Sequence, residues 1–184
     1  MNIFYIHADP ATCAQQHVDK HVVKMILEYA QLLSTAHRFL DGTPVVSRRV
    51  TTGRKQTTYN LHDSRDGMLY RATHLNHPSA KWVRHSACNY RWLFKLWIEL
   101  MREYNYRYGK IHASARLIPH LKELPNNIEE NGFSAPWRAM PEDYKVDRSE
   151  PDYTIKSYRA YYNGAKINMF KWKNRPTPDW INTR

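Results

Sequence analysis

Residues 18–40 read VDKHVVKMILEYAQLLSTAHRFL, and the spacing of their apolar side chains decides the fold class. Val18, Val22, Met25, Tyr29 and Leu32 form one row, and Val23, Ile26, Ala30 and Leu33 form the next. Both rows follow the 3.6-residue period of an amphipathic helix. Upstream, Asp9-Pro10 has the signature of a helix start, with Asp9 as N-cap and Pro10 at the first helical position. The pattern predicts one helix from there to about Leu40, stopped by Asp41-Gly42.

Working outward, Ile3 to Ile6 is a short apolar opening segment. Residues 43–62 are polar, rich in Thr and free of acids, and read as a loop or small hairpin turning at Gly53. A shorter helix is expected from Asp63 to about Leu75, broken by Asn76-His77-Pro78. Pro78 then opens a second long helix, aromatic and apolar almost all round, ending near Gly109. A short helix is expected from His112 to Leu124. Pro125, Pro136, Pro141 and Pro151 mark an irregular crossing segment, and a last regular element spans about Asp152 to Trp172. The expectation is an all-α, single-domain helical bundle with two long central helices over residues 1–184.

Composition narrows the function. Lys and Arg number 28 against 17 Asp and Glu, a net charge of +11, which concentrates polyanions near the surface. Aromatics at 13% supply faces for stacked bases beside those cations. No apolar run approaches the ~20 residues that span a bilayer. Cys13 and Cys88 form no CxxC pair, which fits a reducing cytoplasm. Nucleic acid is the expected partner, although charge alone does not separate DNA from RNA; no membrane, protein partner or cofactor is inferred.

Three constellations could carry chemistry. On the first long helix His17, His21, Lys24 and Glu28 fall at i, i+4, i+7 and i+11, along one stripe. Such a row offers proton carriers and an amine nucleophile. His17 and His21 also have the spacing of a helical zinc pair, but Asp19 points away from them, and no metal site is assigned. Second, His77, Lys81 and Arg84 cluster with Ser79 and His85 at a helix start, where phosphate contacts are favourable. Third, Arg159, Tyr162, Lys166, Lys171 and Lys173 interleave aromatics and cations near the C-terminus, a pattern that suits strand binding. Arg48, Arg49, Arg54 and Lys55 in the polar loop complete the candidate DNA-binding set.

With these residues in view, the chain resembles the phage-type pyrimidine-dimer DNA glycosylases. Ala14-Gln15-Gln16-His17-Val18 is similar to that family's histidine-bearing helix, and Asn76-His77-Pro78 to a motif of its bacterial relatives. The stretches 103–110 and 158–166 are similar to the end of its second long helix and to its C-terminal Tyr-Tyr-Gly-Lys segment. The chain also resembles proteins of marine phages, which implies the cytoplasm of an infected bacterium. The resemblance implies double-stranded DNA as the partner, and excision of damaged or modified pyrimidines with strand cleavage by an amine attacking a sugar carbon. Lys24 stands where the family has its catalytic glutamate, and the family's nucleophile is an N-terminal α-amine, here that of Met1. Lys24 or the Met1 amine is therefore the candidate nucleophile, with His17, His21 and Glu28 moving protons. The alternatives are a non-enzymatic nucleic-acid-binding protein, or a metal-dependent phosphoesterase using His17 and His21.

Overall fold

A computed structural model describes residues 1–182. The chain is mostly helical, with one small antiparallel sheet. Helix α1 spans Pro10–Gln16 and α2 spans Asp19–Asp41. Strands β1 (Thr43–Arg48) and β2 (Lys55–Asn60) form a hairpin with Val46 opposite Thr57 and Arg48 opposite Lys55. Then come α3 (Arg65–Met68), α4 (Pro78–His85), α5 (Ala87–Tyr108), α6 (Ile118–Leu121) and α7 (Tyr153–Ala165).

The long helices α2 and α5 pack through the row predicted from the sequence. Val22, Met25, Ile26, Tyr29, Leu32 and Leu33 are buried against Leu93, Leu96, Trp97 and Leu100. The Trp97 indole N–H finds a partner in the Ile26 carbonyl at 2.9 Å. Ile3 to Ile6 threads this interior, and the Phe4 N–H donates to the Tyr29 hydroxyl at 3.1 Å. Val23 departs from expectation: it is exposed, because the face of α2 bearing Val23 and Leu27 is uncovered.

Several predicted elements are shorter or broken. The chain is not all-α, because residues 43–60 pair as strands. The turn uses Gly53 at φ +64°, a left-handed conformation that glycine adopts without steric cost. The first long helix breaks at His17-Val18, where both residues are extended. The break leaves carbonyls at the end of α1 without helical partners. Arg107 supplies donors to Gln15 and His17, and the Trp172 indole N–H to Gln16. The second long helix breaks at extended Ser86, whose side chain caps α5 through the Cys88 N–H. Only the single turn Arg65–Met68 replaces the helix expected from Asp63 to Leu75. Residues 112–124 hold a 3-10 turn (Ala113–Leu117) and α6 rather than one helix. Gly42 does end α2, but at φ −90° rather than in a left-handed cap. A side chain there would meet the Arg38 carbonyl at 2.4 Å, so close approach is what requires the glycine.

Candidate functional site

The predicted stripe divides in two. Glu28 lies on α2 at a half-buried position and meets two amines: Lys24 Nζ at 3.0 Å and the Met1 α-amine at 3.9 Å. Lys24 is one turn before Glu28 and largely exposed, whereas Met1 is half-buried with its side chain covered. His77 is the N-cap of α4, with Nδ1 accepting from the Ser79 N–H at 3.1 Å. Burial first, and then the charges of the N-terminus and His74, lower its pKa, while Glu28 opposes that shift. The expected Lys24, Glu28 and Met1 therefore meet at one spot, and the charges of Glu28 and the N-terminus reach His77.

His17 and His21 do not line it, which corrects their assignment as proton carriers. His17 caps α1 with no exposed surface and is bonded through Nδ1 to the Cys13 carbonyl at 2.7 Å. Desolvation lowers its pKa to about 4. His21 stacks on Phe4 at 4.2 Å, and its Nδ1 shares a hydrogen bond with the Tyr162 hydroxyl at 2.6 Å. Burial, reinforced by the charge of His17, lowers its pKa to about 3. Both are neutral interior groups at pH 7. Among the described residues no third His, Cys, Asp or Glu joins them to hold a metal.

One helical turn beyond Glu28, Gln31 begins the floor of a cleft of about 880 Å³. Its walls are the hairpin, with Arg49 and Gln56 to Asn60, Asp66 and Gly67 of α3, and the irregular segment Leu69 to His74, including Arg71. Arg38 fastens these walls together. Its buried guanidinium donates to the carbonyls of Tyr59, Asp66, Leu69 and Tyr70 and to the Asp66 carboxylate. The Asp66 charge is thereby paired at 2.7 Å, which leaves Arg49 and Arg71 to set the sign of the cleft.

The other basic residues are placed unevenly. Arg48, Arg49, Arg54 and Lys55 are all exposed on the hairpin and its turn. Lys81, Lys171 and Lys173 are exposed as well, and Lys166 is half-buried over the Tyr161 ring. Arg84 is half-buried over Phe39, with its centre 4.2 Å from the ring. Arg159 is committed to the Ile6 carbonyl and the Trp180 face. Tyr162 is wholly buried and has no surface to offer a base, which removes it from the expected DNA-binding set.

Sequence reasoning missed Arg38, Gln31, Arg71 and the buried network around Arg107. Arg107 pairs with Asp19 at 2.8 Å and Glu103 at 2.7 Å, and Arg175 pairs with Glu103 at 2.9 Å. With the Asp19 N–H donating to the Lys171 carbonyl, this network ties the C-terminal segment to the α1–α2 junction. The i, i+4 spacing of Glu103 and Arg107 was the available signal. Among the described residues no helix is long and apolar enough to cross a membrane. Comparison with protein-family models, curated proteins and solved structures gives no match.

Proposed function

We propose that this chain is a cytoplasmic DNA-binding base-excision enzyme, a glycosylase with lyase activity on damaged or modified pyrimidines. In this reading its two long helices form the centre of a single-domain bundle that carries the site. The observation that supports it most is the meeting of two primary amines with Glu28, one turn from a basic cleft. An unprotonated amine attacks C1′ of the deoxyribose; on a nucleotide that still bears its base the C1′–N bond breaks, the base leaves with the electron pair and is protonated, and opening of the sugar ring gives a Schiff base. On an abasic site, water leaves and a Schiff base forms; removal of the C2′ proton then expels the 3′ phosphate. Glu28 is the group within reach of both amines to accept and return protons. The base must leave the stack for C1′ to be reached.

The nucleophile is the Met1 amine or Lys24 Nζ. Sodium borohydride in the presence of abasic duplex DNA reduces the Schiff base to a stable adduct. Peptide mapping then places it on Met1 or Lys24. A parent protein that binds DNA but forms no adduct is a binding protein without this chemistry.

A further inference from the structure

The hairpin is an outrigger. Every residue of β1 is exposed, and the acid-free stretch from Gly42 to His62 carries Arg48, Arg49, Arg54 and Lys55 near the tip. Cross-strand partners share a face, so Val46 and Thr57 lie beside Arg48 and Lys55 on one side of the ribbon. Val46 is 58% exposed and Val50, in the turn, is fully exposed. Apolar side chains left in water among cations, with no carboxylate nearby in the chain, match a partner that is both anionic and studded with methyl groups.

We infer that the β1–β2 ribbon inserts into the major groove of B-form DNA, its cations meeting phosphates and guanine edges and Val46 and Val50 meeting thymine methyls. The dimensions agree. Six residues per strand at about 3.4 Å each give a reach of about 20 Å, beyond the ~8.5 Å depth of the groove. Two strands ~4.8 Å apart, with side chains, pass a groove ~12 Å wide. The same ribbon cannot enter the deep, narrow major groove of an RNA duplex, so the partner is DNA. Internal bonds pre-shape the tip: Arg48 donates to the Gly53 carbonyl at 3.1 Å and Arg49 to Gln56 at 3.0 Å. The edge of β1 would also pair with another polypeptide strand, but clustered like charges oppose a second copy of the ribbon.

This inference rests on the proposed binding of duplex DNA, and methylation interference separates the two. A 30-base-pair duplex is premethylated at guanine N7, in the major groove, and adenine N3, in the minor groove, and sorted by binding to the full-length protein. Guanine N7 methylation is expected to block binding, and an RNA duplex of the same sequence to bind at least about tenfold more weakly. The variant with Arg48→Ala and Lys55→Ala is expected to lose about tenfold in affinity with unchanged circular dichroism, since both side chains are exposed. Interference confined to adenine N3, or parental affinity in the variant, overturns the ribbon. Absence of any duplex binding by the parent overturns the proposed function along with it. A borohydride adduct in a variant of parental affinity overturns the ribbon alone.

Discussion

Mild acid should unfold this protein. His17, His21 and His37 lie inside the molecule, and burial, the largest cause in each case, lowers their pKa values to about 4, 3 and 4. In the unfolded chain a histidine titrates near 6.5. Below that pH the unfolded chain takes up protons that the folded chain refuses, so stability falls as pH falls, until the folded groups themselves protonate near pH 4. At pH 5 each histidine costs about 2 kcal/mol and together they cost about 6 kcal/mol, against the ~5–15 kcal/mol that holds a typical domain. The steepest slope is roughly 4 kcal/mol per pH unit. Urea unfolding followed by tryptophan fluorescence at pH 7.5, 6 and 5 measures the loss. His21→Gln, whose amide can donate to or accept from the Tyr162 hydroxyl, should remove about a third of it. A change below about 2 kcal/mol between pH 7.5 and 5 would refute the reasoning.

Arg107→Met strips a buried guanidinium from Asp19 and leaves Glu103 with Arg175 alone; it should cost about 3–5 kcal/mol, or roughly 6–20 °C in Tm. A shift of under 2 °C in calorimetry would mean that the network does not hold the α1–α2 junction. Gly42→Ala places a methyl group 2.4 Å from the Arg38 carbonyl and 3.3 Å from the Asn60 carbonyl, with backbone on both sides. It should cost about 1–3 kcal/mol in urea denaturation, and neutrality would show that the junction of α2 and β1 yields easily. Binding to duplex DNA should weaken by orders of magnitude over a few-fold rise in salt, measured by fluorescence anisotropy; a flat response would contradict phosphate contacts by Arg48, Arg54 and Lys55.

What could be read from the sequence was set by local periodicity. The rows on α2, the Asp9 and Pro10 start and the polar hairpin all carry their signals within a few residues. The break between α1 and α2 does not. No glycine or proline marks His17-Val18, and the donor that satisfies the His17 carbonyl lies 90 residues away on Arg107. The break at Ser86 had a local signal in the capping serine, but apolar residues at helical spacing on either side masked it. The helical wheel placed His17 and His21 with Lys24 and Glu28, yet Phe4 and Tyr162 cover the histidines and leave the other two at the surface. Only long-range packing decides which end of such a stripe stays open. Met1 entered the site through resemblance rather than through any local pattern, and the structure sets its amine beside Glu28.

The most direct test of the central claim is borohydride trapping on a duplex with a single abasic site, read by mass spectrometry of the digested adduct. The account predicts a covalent adduct on the Met1 amine or Lys24 Nζ, sharply reduced by Glu28→Gln, and none on the remaining lysines. No adduct at all, under conditions where the protein binds the duplex, would contradict it, as would an adduct spread over surface lysines such as Lys81 and Lys173.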